Sequence, residues 1–471
     1  MVFPPTLRVK NLNNKKEERN RMRFFYPEEY RSLTKLGIPI TIGQVGLTLQ
    51  NLADNVMVGQ HSTEELAAAG FVNNMFVLAI LLTMGYSLGA VSQIGALYAQ
   101  DNKPRIVEVL KSSLVTDSLQ GLLVMVGLIG LYFLLPHMGQ PEELLPLMRP
   151  YLVIQILSLP FMFLCGAFRQ FTDSINDTEV AMGAMLVGNV CNILLNYLLI
   201  FGHCGLPEMG IEGAAWATFT SRVIILLMVI GILLARPKYR VYVNLWRTHS
   251  ARLQDMLHLN RLGWPIAIQM GMEVASFSLV AIFLGWMGTN VLAAHQVMLS
   301  ICNLIFMFYI GVSSAVAIRV SNYNGLHDMR GVRHATFAGV EMIYAVGLVL
   351  SCIAFAFRHH MASLFTDNAE VSTIVATLAI PLVLYQFGDG TQVTFANALR
   401  GLGDVKKLMK YSFLAYIVIS LPLSYLMGVV LDWQAFGIWM GFPFGLTTAG
   451  LLYARRFMKI SYDKRLNSKS N

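Results

Sequence analysis

Three carboxylates stand where a charge is expensive. Asp54, Glu273 and Asp389 each lie deep inside a long apolar run. A charge near the centre of a bilayer costs about 3 kcal/mol or more and usually faces the interior of a helix bundle. Each acid has polar company at helical spacing. Gln50 and Asn51 precede Asp54 by four and three residues, so all three share a helix face. Gln269 stands one turn before Glu273. Gly388 and Gly390 flank Asp389, Pro381 lies two turns earlier, and Gln386 and Gln392 stand three residues to either side. One side of each helix is polar and the rest apolar, the pattern of a wall lining a wet cavity. A carboxylate there can hold a proton, a sodium ion or a cationic ligand. If two of these compete for one site, and their exchange accompanies a change of exposed side, the outcome is antiport without covalent chemistry.

The elements that hold these acids follow from composition. Of 471 residues, 55% are hydrophobic and only 13% charged, against about a quarter charged in soluble domains. The mean hydropathy is +0.56. A disordered chain, a disulfide-rich module and an ordinary cytosolic enzyme are excluded. Twelve runs reach the roughly 20 apolar residues that a span needs: about 36–58, 71–98, 112–135, 146–167, 181–202, 213–235, 263–285, 291–318, 335–357, 371–398, 411–431 and 435–455. They are continuous rather than alternating, so they predict helices and not a barrel.

The net charge of +8 is a topology signal rather than a nucleic-acid footprint. With the N-terminus placed in the cytoplasm and the spans alternating, the outer loops carry only Arg149 and Arg358, and Arg222 falls inside a span. The rest of the 35 basic residues lie on the inner side. They include Arg8 to Arg23 in the basic N-terminus (1–35), the cluster from Arg236 to Arg261, and Arg400, Lys406, Lys407 and Lys410. Others stand in the tail (458–471). No signal-peptide pattern follows the N-terminus. The expectation is a multi-pass protein of the cell's inner (plasma) membrane with both termini cytoplasmic, bound by lipids and not by nucleic acid.

The chain repeats itself at an offset of 226 residues. Leu36-Gly37-Ile38-Pro39-Ile40 falls on Leu262-Gly263-Trp264-Pro265-Ile266, Leu66-Ala67-Ala68 on Leu292-Ala293-Ala294, and Gly85 and Ser87 on Gly311 and Ser313. Six spans per half is an even number, so both halves enter from the same side. The predicted architecture is an all-α polytopic membrane protein whose twelve helices form two six-helix lobes, related by a pseudo-two-fold axis along the membrane normal. The N-lobe is 36–235, the basic linker 236–262 and the C-lobe 263–457. With both halves in one chain, a monomer is expected.

Several segments resemble the multidrug and toxic compound extrusion (MATE) transporters, in their NorM-like branch. Leu52-Ala53-Asp54-Asn55-Val56-Met57-Val58-Gly59 is similar to the first-span signature. Met272-Glu273-Val274 with Ala293-Ala294-His295-Gln296-Val297 resembles the seventh and eighth spans. Tyr385-Gln386 to Asp389, continuing to Leu399-Arg400-Gly401, does the same for a later span. Asn192 to Asn196 with Gly213 to Thr218 matches the fifth and sixth. The likeness runs from about residue 30 to 457. It implies two lobes rocking between inward- and outward-open states and export of organic cations and amphiphilic drugs, driven by sodium or protons, with no cofactor. By position it implies a C-lobe cation site at Glu273 and Asp389, the candidate sodium ligands, supported by Gln386. In the N-lobe it implies a site at Asp54 with Asn192, Asn196 and Thr218. Asn196 stands where some relatives place an aspartate. Phe306 stands where some place a tyrosine, and cannot donate oxygen.

Other residues carry weaker signals. Asp117 and Glu341, about two turns inside their helices, read as interfacial partners of loop arginines or lysines. Arg222 could repel a cationic substrate, pair with Asp54, or snorkel to a carbonyl. The five cysteines have no metal or pairing pattern and read as small apolar filler. Twenty-six Met and 27 Phe suit a promiscuous pocket as well as lipid-facing filler. Gly401-Leu402-Gly403-Asp404 matches an element of intramembrane aspartyl proteases, but the nearest second aspartate, Asp463, lies in the polar tail. His359-His360 lacks a third ligand, and no P-loop or metal-hydrolase motif occurs. A membrane enzyme therefore lacks a catalytic constellation. A flippase for lipid-linked sugars would favour a basic cavity, and a channel an oligomeric ring.

Overall fold

The computed structural model describes residues 26–138, 141–366 and 368–462. The basic residues from Arg8 to Arg23 lie outside the described residues, as do Asp463 and the tail's Lys464, Arg465 and Lys469.

Twelve long helices follow one another among the described residues. In the first half they are α1 (Pro27–His61), α2 (Thr63–Ala99, interrupted at Leu88), α3 (Lys103–Leu134), α4 (Leu145–Ser174), α5 (Thr178–Ile200) and α6 (Gly210–Ala235). In the second they are α7 (Leu253–Gly285), α8 (Thr289–Gly325), α9 (Met329–Ala356), α10 (Ala369–Thr377 with Ala379–Gly401), α11 (Val405–Val430) and α12 (Gln434–Tyr462). Ten are single helices long and apolar enough to cross a bilayer, and the two pieces of α10 make an eleventh span. The twelfth, α1, is less apolar because Gln44, Gln50, Asn51 and Asp54 lie along it.

Local chemistry sets the ends. Ser62 accepts from the Glu64 and Glu65 amides to start α2, Asn102 accepts from the Arg105 amide to start α3, and Asp328 accepts from Arg330 and Gly331 to start α9. The 47° bend of α10 falls between Thr377 and Ala379. Pro381 accounts for it, since proline has no amide to donate to the Thr377 carbonyl and its ring crowds that oxygen.

Within the first half, α1 packs on α5, α5 and α4 on α6, and α3 on α4. In the second, α8 and α12 pack on α10, and α9 on α8. Each half has its own apolar core, around Phe76, Tyr151 and Phe163 in one and Tyr385, Trp439 and Phe457 in the other. The lobes meet where α1 crosses α8 and α2 crosses α7.

These crossings obey the repeat. A Cβ on Gly85 would lie 2.7 Å from the Ala267 Cα, and a Cβ on Gly311 would strike the Thr41 side chain. Gly85 and Gly311 are repeat mates at an offset of 226, and so are Thr41 and Ala267. The same close backbone approach is thus made twice, as a pseudo-two-fold requires, and only glycine permits it. Both crossings lie toward the end of the bundle that carries the basic connections, called here the basic end.

Several boundaries differ from expectation. Helices run past the apolar runs into the basic end: α1 begins at Pro27 rather than about 36, and α8 ends at Gly325 rather than about 318. The linker contains a short helix, Arg240–Trp246, and its last ten residues already belong to α7. Arg400, assigned above to an inner loop, lies in the last turn of α10. Interfacial polar residues continue a helix as readily as apolar ones, so hydropathy alone ends a span too early.

Candidate functional site

The N-lobe site forms where α1, α5 and α6 converge. Asp54 is half-buried, while Asn192 and Asn196 are fully buried one turn apart on α5. Asn196 donates to Asp54 Oδ1 and, at 3.3 Å, to Asn192 Oδ1. Turning the Asn192 amide end for end brings its nitrogen 2.7 Å from Asp54 Oδ1 and its oxygen 3.3 Å from the Thr218 amide. The expected set of Asp54, Asn192, Asn196 and Thr218 is therefore brought together. The neutral Asn196 serves as a donor to the acid where a second carboxylate would repel it. Arg222 donates to the Ser158 hydroxyl on α4, a partner not anticipated for it, and interacts electrostatically with Asp54.

The C-lobe site lies among α7, α8 and α10. Glu273 is half-buried and accepts from Gln269 Nε2 at 3.1 Å. Asp389 is 2% exposed, and the two carboxylates interact electrostatically. Asp389 Oδ2, both polar atoms of Gln386, and Gln392 Oε1 are buried without a hydrogen-bond partner. Buried polar atoms are nearly always satisfied. Such a cluster of unspent oxygens in one place calls for water or a hard cation, which favours oxygen ligands. Gln386 is thus buried three residues before Asp389 with both polar atoms unpartnered.

Sequence reasoning missed some neighbours. Tyr309 and Tyr385 both interact electrostatically with Asp389, so phenolic oxygen is present although Phe306 packs into the apolar cluster around Ile305 and Ile343. Arg400 donates to Gln269 Oε1 at 2.5 Å and to Asn397 Oδ1 at 3.3 Å. Its position was legible in principle: Asp389, Val393, Asn397 and Arg400 follow one helical stripe.

Two expectations are corrected. Asp117 is not an interfacial partner of a basic loop residue; it is buried and accepts from Ser87 at 3.1 Å and Ser113 at 3.4 Å. Glu341 accepts from the Tyr30 hydroxyl. In each case the acid accepts from a hydroxyl on a neighbouring turn or helix. Asp404 pairs with Arg456 after a turn in which Gly403 takes φ +75°, so the Gly-Leu-Gly-Asp stretch builds a connection.

The MatE family profile matches residues 39–198 and 265–426. Its two matches begin 226 residues apart, the offset of the internal repeat. The chain is 30% identical to the multidrug resistance protein NorM of Vibrio cholerae over 438 residues, covering 92% of this chain and 95% of that one. It is 29% identical to NorM of Aliivibrio fischeri, with the same coverage. Among solved structures, an outward-facing multidrug resistance MATE family transporter superposes with a TM-score of 0.84 at 22% identity, covering 92% of this chain and 97% of that one. A MOP superfamily transporter from Pyrococcus furiosus gives 0.82 at 21%, with the same coverage. Profile matches in register with the repeat, joined by relatives aligned almost end to end, place this multi-pass membrane protein: the chain belongs to the MatE family.

Proposed function

We propose that the chain exports organic cations and amphiphilic drugs in exchange for sodium ions or protons, by alternating access. Its NorM relatives carry the name multidrug resistance protein, and they are transporters, not enzymes. The observation that carries the coupling is the pair of polar sites sunk in apolar helices, one per lobe: Asp54 with its asparagines, and Glu273 with Asp389 and their unpartnered oxygens. The C-lobe site offers carboxylate, amide and phenol oxygens, the donors a sodium ion takes. The N-lobe site offers one carboxylate among amides, which suits a proton or a cationic drug. Lobes that touch toward the basic end can part there and close at the other. We place the basic end in the cytoplasm, and the protein in the inner membrane as a monomer.

A flippase for lipid-linked sugars is less well supported. A diphosphate would need free cations lining the path, whereas Arg222 is engaged by Ser158, and Arg400 by Gln269 and Asn397.

The test is ethidium transport by purified protein in vesicles, with sodium and proton gradients imposed separately. One gradient should drive ethidium against its concentration, and Glu273→Gln and Asp389→Asn should each abolish this at normal yield. Transport by both variants at the wild-type rate would overturn the coupling.

A further inference from the structure

Arg400 is the unexpected member of the C-lobe site. A guanidinium only donates and a carboxylate only accepts. The Gln269 amide stands between the two, so its orientation is dictated: its oxygen takes Arg400 Nη2 and its nitrogen gives to Glu273 Oε2. Gln269 is fully buried. The guanidinium is anchored on its own helix by Asn397, and its Nε has no partner. The hydrogen bonds that Arg400 makes go to Asn397 and Gln269 rather than to Glu273. Arg400 acts on Glu273 through one polarised amide, and the two charges interact across that link.

We propose that Arg400 is a positioning residue for Glu273: through Gln269 it aims a hydrogen bond at the carboxylate and presents a fixed positive charge that the driving cation must out-compete. This rests on Glu273 being part of the coupling site. An arginine does not surrender its proton in a protein, so its charge is present in every state. It keeps an empty, ionised Glu273 tolerable inside the bundle and weakens any cation that arrives. That cation is then bound loosely enough to leave again. The relay also abuts the lobe crossing: Gln269 follows, by two residues, the Ala267 that meets Gly85.

The experiment measures the half-saturating concentration of the driving cation and the maximal rate of ethidium transport in vesicles. It compares wild type, Arg400→Gln, Arg400→Lys, Gln269→Met and Glu273→Gln. Removing a unit charge at this range should lower the half-saturating value of Arg400→Gln by at least about fivefold, with a slower maximal rate because the cation is released more slowly. Arg400→Lys cannot make both hydrogen bonds in the same geometry, and a buried lysine gives up its proton more readily than arginine, so it should shift the value in the same direction as Arg400→Gln but by a smaller factor. Gln269→Met cuts the relay but spares the charge. It should shift the value in the same direction by less, and it carries the test if Arg400→Gln cannot be purified. Unchanged half-saturation in both Arg400→Gln and Gln269→Met, with any loss confined to yield, would overturn the proposal. Glu273→Gln separates the two readings. If it is inactive while the Arg400 variants behave as wild type, only this inference fails; if it transports normally, the coupling assignment itself fails.

Discussion

Arg319, near the end of α8, grips Glu29, in the first turn of α1, across the lobe boundary: Nε lies 3.2 Å and Nη2 2.9 Å from the two carboxylate oxygens. The repeat mate of Glu29 is Asp255, in the first turn of α7, and it too is held by two donors from the opposite lobe. Arg105 Nη1 and Nη2 lie 3.1 and 2.9 Å from its oxygens. Glu108 and Arg252 add a third ion pair beside the second. Equivalent acids thus latch each lobe onto the other at the basic end. Both carboxylates are mostly buried, so these pairs are worth more than the fraction of a kcal/mol typical of exposed ones.

Breaking the latch should open that end. Charge-assisted hydrogen bonds contribute about 1.5–3 kcal/mol, so Glu29→Gln combined with Asp255→Asn should raise the basic-end-open population by about tenfold or more. Ser321 is buried against Gly95 at the boundary. In a background lacking the five free cysteines, Ser321→Cys should react with a polar thiol reagent from the basic side several times faster when the latch is cut. An unchanged labelling rate would show that the ion pairs do not hold the lobes together.

Separation of the lobes is itself testable where Asn322 on α8 donates to Asn176 Oδ1, between α4 and α5, at 3.0 Å. In a background lacking the five free cysteines, Asn176→Cys and Asn322→Cys should be joined by a short, cleavable bifunctional thiol reagent. The joined protein should lose nearly all transport, and cleavage of the linker should restore it. Full transport while cross-linked would rule out a mechanism in which the lobes part at the basic end.

The architecture was largely legible because it depends on bulk properties: run length gives helices, and the repeat gives lobes. Even there α1 was read as an apolar run at 36–58, although Gln44, Gln50 and Asp54 dilute it. The acids were legible as well, because a carboxylate in an apolar run is conspicuous. What each acid touches was not. Asp117 meets Ser87 and Ser113, and Glu273 meets Arg400 through Gln269, by the packing of helices distant in sequence. Gln269, one turn before Glu273, was marked by its spacing, but serine looks ordinary in an apolar run and Arg400 stands on a different helix, so nothing local marks those as partners.

The linker is tied down by a group whose ionisation should be visible in stability. Asp177, in the connection before α5, accepts from Lys238 at 2.8 Å and Tyr239 at 2.7 Å. Partial burial opposes its ionisation, but these two bonds outweigh it and hold the carboxyl below the usual carboxylate range. A carboxyl depressed on folding stabilises the fold above its ordinary value, and that contribution is lost as pH falls through the folded value. Asp177→Asn should therefore lower the unfolding temperature at pH 7 and lose most of that deficit near pH 3. Lys238 is well exposed, so the effect should be about 1 kcal/mol or less. A deficit that persists at low pH would mean that Asp177 acts by shape, not charge.

The two lobes should divide the work. In the C-lobe, Asp389 Oδ2 and the amide oxygens of Gln386 and Gln392 have no donor to satisfy them, whereas in the N-lobe Asp54 already accepts from Asn196. An unpartnered carboxylate oxygen draws a bare cation, and a carboxylate already hydrogen-bonded draws one less. Sodium binding to purified protein should accordingly fall at least tenfold in Glu273→Gln and in Asp389→Asn, and change by less than about threefold in Asp54→Asn. Ethidium transport should still fail in Asp54→Asn, because the N-lobe carboxylate is the charge available to an organic cation there. The asparagine introduced at 54 offers an acceptor to Asn196, so the fold should survive and yield should stay normal. Loss of sodium binding in Asp54→Asn, with retention in both C-lobe variants, would reverse the assignment of the lobes.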